Sequence, residues 1–120
     1  DFDAVALAKD IGALVDAAGK DAPARRTRLR HLVDSAADFY RHLMRSLANP
    51  TVNTSHKLVV ETKLHWNGQA TLAAKCLERC LAAIVQIDSN ANLERDADKL
   101  RQKPVEKEIE ELEKQESRLD

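Results

Sequence analysis

Two cysteines and four histidines are the residues of this 120-residue chain whose types could support chemistry. Cys76 and Cys80 lie four residues apart, a spacing that places both thiols on one face of a helix. Structural zinc requires four ligands in tetrahedral geometry, and no histidine lies near the pair in sequence. Apolar residues share the face of the two cysteines, so the pattern predicts reduced core thiols and no metal site.

A histidine on a helical bundle could instead accept a phosphoryl group, as in domains that carry a His-x-x-Lys-Gly pattern. The residues after His56 and His65 lack the lysine at that place, and His31 and His42 are expected on the surface. Nucleophilic catalysis requires a base beside the nucleophile, and neither cysteine has a neighbouring histidine in sequence. We therefore expect no catalytic residues and no enzyme activity.

Nucleotide chemistry is also not expected. The sequence contains neither Gly-x-x-x-x-Gly-Lys-Ser/Thr nor Gly-x-Gly-x-x-Gly, so no loop is predicted to hold phosphate, and no cofactor is expected. The carboxylates near the C-terminus lie in solvated runs without a predicted pocket.

Composition predicts one helix-rich domain. The chain is 43% hydrophobic and 32% charged, has a net charge of −1, and contains only three glycines and three prolines. No apolar run is long enough to span a membrane, and residues 2–15 are too polar for a signal peptide. These features predict an all-α protein, a bundle of four to five helices, in the cytoplasm. Because the chain begins with Asp1 rather than Met, we expect it to be a processed product or part of a longer protein.

Apolar residues at three- and four-residue spacing predict the first two helices, over residues 4–18 and 23–48. Asn49 and Pro50 should end the second helix, because a residue before proline disfavours the helical conformation. The side chains of the first helix that are expected to face the core are Val5, Ala8, Ile11, Leu14, Val15 and Ala18. Those of the second helix are Leu29, Leu32, Val33, Ala36, Tyr40, Leu43, Met44 and Leu47.

The remaining pattern is less uniform. Residues 58–66 are compatible with a short helix or an ordered loop, and Asn67-Gly68 is a turn signal before a helix over 69–87. Residues 88–90 should interrupt the helix or cap the helix that follows. Pro104 either opens a new helix or kinks the preceding one. We divide the chain into a bundle domain, 1–103, and a charged C-terminal helix or tail, 104–120. The thin apolar stripe over 105–119 favours either a partner-binding helix or a solvated helix that frays.

The second helix also carries a basic outer face, since residues 20–48 contain seven Lys or Arg against three Asp. Such a face can contact phosphate or an acidic partner, or it can be a solvated surface. Phe39 and Tyr40 beside it are compatible with stacking on single-stranded nucleic acid, but their position favours core packing. The arginines of this face are Arg25, Arg26, Arg28, Arg30, Arg41 and Arg45.

Two segments resemble a known family. Asp-Ala-Ala-Gly-Lys-Asp-Ala-Pro-Ala-Arg-Arg at 16–26, with Ala-Asp-Phe-Tyr-Arg-His-Leu-Met-Arg at 37–45, resembles the C-terminal helical (collar) domain of the bacterial DNA polymerase III delta-prime subunit, planctomycete-type. Ala-Lys-Cys-Leu-Glu-Arg-Cys-Leu at 74–81 and Gln-Ile-Asp-Ser-Asn-Ala-Asn at 86–92 are similar to the same family. After Asn92 the chain departs from those sequences, which continue with an apolar, Trp-containing helix.

This resemblance implies a non-catalytic oligomerisation module of a clamp loader, which acts in DNA replication as part of the DNA polymerase III holoenzyme. The implied partners are the other clamp-loader subunits, gamma/tau and delta; contact with DNA or membrane is not expected. The candidate subunit-contact face consists of Arg26, Arg30, Arg41 and Arg45. The alternative is an α-helical adaptor or effector fragment that binds a protein partner through its C-terminal amphipathic helix.

Overall fold

Every secondary-structure element that the computed structural model describes, over residues 2–18, 21–48 and 56–119, is helical. The elements are α1 (Ala4–Ala17), α2 (Pro23–Ala48), α3 (His56–Ile87), α4 (Ala91–Leu100) and α5 (Glu106–Leu119), with a π-helical turn (Arg101–Val105) between the last two. The all-α prediction is confirmed. Asn49 and Pro50, which were expected to end the second helix, lie outside the described residues.

Side chains that precede the first turn define where α1 and α4 begin. The Asp3 carboxylate accepts hydrogen bonds from the backbone N–H groups of Val5 and Ala6, both at 3.1 Å. The Asn90 side chain accepts from the Leu93 N–H at 2.9 Å. Both residues satisfy donors that a helix leaves without internal partners, so these starting points are encoded locally.

Helices α2 and α3 form the long antiparallel pair of a bundle 55 Å in length. The seven residues between them can span about 25 Å, whereas α2 alone is about 39 Å long, so extensive contact requires the chain to reverse. Helix α1 packs on α2, and α4 and α5 pack on α3. The core between them is built mainly from small and aliphatic side chains, and the largest fully buried ones are Ile11, Val15, Val33, Leu43, Leu77, Leu81, Ile84, Val105 and Leu112.

Three side chains lie farther outside than the apolar stripes predict. Val5 is exposed because Ala4 and Leu7 occupy the buried edge of α1. Leu32 and Phe39 are 49% and 43% exposed, although Tyr40 is buried as expected. The apolar arc of α2 is wider than the surface that its neighbouring helices cover, so its outer members remain in solvent.

Helix α3 is continuous through the predicted turn at Asn67-Gly68, and that prediction is wrong. Asn67 is buried, and its side-chain nitrogen donates to Gln115 Oε1 of α5 at 3.5 Å. The Thr71 hydroxyl lies 3.0 Å from the Asn67 carbonyl and 3.4 Å from Glu116 Oε1. Helix α5 therefore covers this part of α3, and tertiary contacts outweigh the local preference of Asn-Gly for a turn.

Pro104 lies inside the π-helical turn rather than at the start of a helix. A proline in an α-helix lacks one N–H donor and its ring clashes with the carbonyl four residues earlier. In the wider turn, the Glu106 N–H donates to the Arg101 carbonyl, five residues back, while residues 100, 101 and 106 keep helical dihedral angles. The chain thus continues from α4 into α5 without leaving helical conformation.

Candidate subunit-contact surface

The four arginines of the predicted contact face lie on one side of α2, within about 100° of one another around the helix axis. The structure divides them into two pairs. Arg26 and Arg30 lie beside α1, whereas Arg41 and Arg45 lie about 16 Å or more farther along α2.

Arg26 and Arg30 both bind Asp16 near the end of α1. The Arg26 Nη1 donates to the Asp16 backbone carbonyl at 3.1 Å, and Arg30 forms an ion pair with the Asp16 carboxylate. The hydrogen bond and the charge of Asp16 raise the pKa of Arg30 above its ordinary value. The Arg30 guanidinium also lies over Gly12, where a Cβ atom would meet its Cζ at 3.8 Å. These two arginines therefore join α1 to α2 within the chain.

Arg41 and Arg45 are exposed, as is Arg30, but they lie along α2 away from the contact with α1. Arg41 Nη2 lies 3.3 Å from Asp38 Oδ1, one turn earlier on the same helix. An exposed pair of this kind is weak and open to competition from another carboxylate. The basic face consequently consists of one pair of arginines, Arg26 and Arg30, that binds Asp16 of α1, and a second pair, Arg41 and Arg45, farther along α2.

The two cysteines differ in burial. Cys80 is buried as predicted, whereas Cys76 is only half-buried. Burial, with a smaller contribution from Cys76, raises the pKa of Cys80 to about 11. A thiol with that pKa is protonated at neutral pH and is a poor nucleophile. The described residues contain no group of three or more side chains of the types that bind metal ions.

A groove of about 520 Å³ runs along the π-helical turn. Its lining combines bases and acids, which gives it no single sign of charge. Burial and the nearby Glu111 raise the pKa of Glu108 above its ordinary value. The lining residues are Phe2, Asp3, Lys103, Pro104, Lys107, Glu108, Glu111 and Gln115.

The C-terminal apolar stripe is occupied within the fold. Val105, Ile109 and Leu112 are buried in the same core as α3, and Leu119 lies outside the residues whose side chains are described. The stripe therefore leaves little apolar surface for a partner. His31, His42 and His65 are exposed, and no two of them are brought together with a cysteine among the described side chains. None of the described helices has the length and apolar character that a membrane span requires.

Sequence reasoning missed an exposed apolar set formed by Leu32 and Phe39 on α2 and Leu72 on α3. The signal was present: Leu32 and Phe39 are one heptad apart at the edge of the α2 stripe, and Leu72 lies outside the stripe of α3. Such exposed residues share the three- and four-residue spacing of core residues, so only the width of the apolar arc distinguishes the two groups.

No protein-family model, curated protein or solved structure matches this chain. The resemblance at residues 16–45 and 74–92 therefore rests on the residues themselves.

Proposed function

We propose that this chain is a non-catalytic oligomerisation module of a bacterial DNA polymerase III clamp-loader subunit, the delta-prime collar domain, acting in the cytoplasm in DNA replication. The observation that supports it is the helical bundle, to which all the segments that resemble the family contribute. Residues 16–26 and 37–45 belong to the α1–α2 hairpin, and 74–92 covers the end of α3 and the start of α4. The partners are the gamma/tau and delta subunits, held by contacts between helical surfaces.

Arg41 and Arg45 are the proposed contact residues of the basic face. Arg26 and Arg30 already bind Asp16, so replacing them would disturb the hairpin as well as any interface. Arg41 and Arg45 are exposed, and their replacement by glutamate changes surface charge without removing a contact between helices.

The test is co-assembly of the chain with purified gamma/tau and delta subunits, measured by analytical ultracentrifugation at low and high salt. The variant R41E/R45E should weaken assembly more at low salt, because salt screens charge interactions. The matched variant K9E/R95E makes the same change in net charge at exposed positions on α1 and α4 and should assemble normally. Equal assembly of the other subunits with and without this chain would show that the proposal is wrong.

A further inference from the structure

Three large apolar side chains are exposed on the outside of α2 and α3. Leu32 and Phe39 on α2 and Leu72 on α3 are 49%, 43% and 60% exposed. Single exposed apolar residues are ordinary, but a contiguous apolar patch marks an interaction site.

Their positions around the helices place them on the same side. Helix α1 contacts α2 on the side of Arg26 and Arg30, and Leu32 and Phe39 lie beyond the opposite edge of the buried arc of α2. On α3, Asn67 and Thr71 face α5. Leu72 lies about 100° or more from both around the helix axis, on the side away from α5. In an antiparallel pair, these two edges form one outer surface over the junction of α2 and α3.

Their positions along the helices agree as well. Leu32 lies sixteen residues before Ala48 at the end of α2, and Leu72 lies sixteen residues after His56 at the start of α3. Each is thus about 24 Å from that end of its own helix. We call the surface formed by Leu32, Phe39 and Leu72 with the basic residues beside them the α2–α3 outer face.

Basic residues lie on the same side of each helix as Leu32 and Leu72, toward the start of α2 and the end of α3. Arg25 and Arg28 precede Leu32 by seven and four residues, and Arg79 follows Leu72 by seven, so each lies on that side of its own helix. All three are exposed, as is Lys75. Arg25 is twenty-three residues before Ala48 and Arg79 is twenty-three residues after His56, so each lies about 35 Å from that end of its own helix.

The described carboxylates of α2 and α3 lie elsewhere. Asp34 and Asp38 are about 100° or more around α2 from Leu32 and Phe39, and Asp38 pairs with Arg41. Glu78 is about 120° around α3 from Leu72. The described part of the α2–α3 outer face therefore joins an apolar centre to a wholly basic end.

We propose that the α2–α3 outer face binds an acidic amphipathic helix of a partner protein. Apolar side chains of that helix would cover Leu32, Phe39 and Leu72, and carboxylates at one end would pair with Arg25, Arg28 and Arg79. The inference deepens the proposed function, since it rests on the chain's role as a protein-binding module, although it does not require the clamp-loader family. A nucleic acid fits less well, because aliphatic Leu32 and Leu72 provide no surface for stacking bases.

The test is fluorescence anisotropy of the chain with a labelled synthetic helical peptide of about five turns, long enough to cover the patch. The peptide carries leucines at i, i+3, i+4 and i+7 and glutamates at the remaining positions of one half. Controls are the same peptide with lysines in place of the glutamates, and a labelled oligothymidylate. The acidic peptide should bind most tightly, and its affinity should fall as salt rises.

Two variants separate the contributions of the surface. L32S/L72S and R28E/R79E should each weaken binding of the acidic peptide about tenfold or more, a change of about 1.4 kcal/mol or more. Circular dichroism and thermal melting verify that each variant is folded. V5S, which alters an exposed apolar residue on α1, and K9E/R95E are the matched controls and should bind as the unaltered chain does.

The inference is overturned if the folded variants bind the acidic peptide normally, or if the acidic peptide does not bind at about 1 mM. Tighter binding of the oligothymidylate would instead identify a nucleic-acid surface. Dimerisation of the chain alone, abolished by L32S/L72S, would identify a second copy as the occupant. Failure of the clamp-loader subunits to assemble, with peptide binding intact, would reject the family assignment and leave this surface in place.

Discussion

Arg30 of α2 is ion-paired with Asp16 of α1. The pair joins residues fourteen apart in sequence across a short connection, and it lies beside the Arg26 hydrogen bond to the Asp16 carbonyl. Two charged side chains that sequence analysis assigned to a partner surface therefore position the first hairpin of the bundle.

Neutralising this pair should lower stability in a salt-dependent manner. D16N and R30Q should each reduce the melting temperature at low salt, and the double variant should lose less than the sum of the two, because both changes remove the same interaction. Thermal melts followed by circular dichroism measure the effect. The difference should shrink at high salt, since both side chains are half-exposed. Strict additivity at low salt would show that the pair contributes nothing.

Replacing Gly68 by alanine should stabilise the protein. Gly68 lies within α3, where glycine costs about 0.5–1 kcal/mol relative to alanine. An added Cβ would meet Glu116 Oε1 at 3.6 Å, an ordinary contact distance. Chemical denaturation should therefore show a gain of about that size for G68A. The reverse change at an exposed position of the same helix, A82G, should lower stability by a similar amount, and a loss of stability in G68A would contradict the continuous helix.

Leu81 should be essential for folding. It is 1% exposed in the C-terminal half of α3, so L81A should cost about 2–5 kcal/mol by removing core contacts and leaving a cavity. L81D should abolish the cooperative thermal transition, because it buries an unpaired charge. L72A, at a position 60% exposed on the same helix, should change stability by about 0.5 kcal/mol or less. Equal losses for L81A and L72A would contradict the assigned faces of α3.

Cys80 should react slowly with a thiol reagent while the protein is folded. Because burial raises its pKa to about 11, the thiolate fraction at pH 7 is very small, and the buried position also blocks access. Labelling of C76S, in which Cys80 is the remaining cysteine, should be slow in buffer and fast in denaturant. C80S, which keeps the half-buried Cys76, should label faster under native conditions. Rapid labelling of folded C76S would show that Cys80 is accessible.

Glu108 should oppose folding at neutral pH. Burial and Glu111 raise its pKa in the folded state, so its contribution to stability is most favourable at low pH, where it is protonated, and is lost as pH rises through the folded pKa. E108Q should therefore stabilise the protein at pH 7, and its advantage should diminish as pH falls. E113Q, at an exposed position of α5, controls for the removal of one negative charge. An advantage independent of pH would contradict the assigned burial.

Helix α3 shows where sequence reasoning stops. Its second half has apolar spacing that a helix alone explains, and 69–87 was predicted correctly as helical. Its first half ends in Asn67-Gly68, whose local preference is a turn. The helix continues because Asn67 and Thr71 lie against Gln115 and Glu116, residues almost fifty positions away. Contacts of that separation cannot be read from a local window.

The sequence by itself determined the helical class, the bounds of α2 and a cap within residues 88–90, because the period of apolar residues and the capping side chains act over a few residues. Tertiary structure alone decided which arginines face a neighbour. It also decided that the 105–112 stripe joins the core, and that Leu32, Phe39 and Leu72 remain in solvent. The physical reason is that one helix offers a broad apolar arc and a broad charged arc, and only the number and position of the helices packed against it determine how much of each is covered.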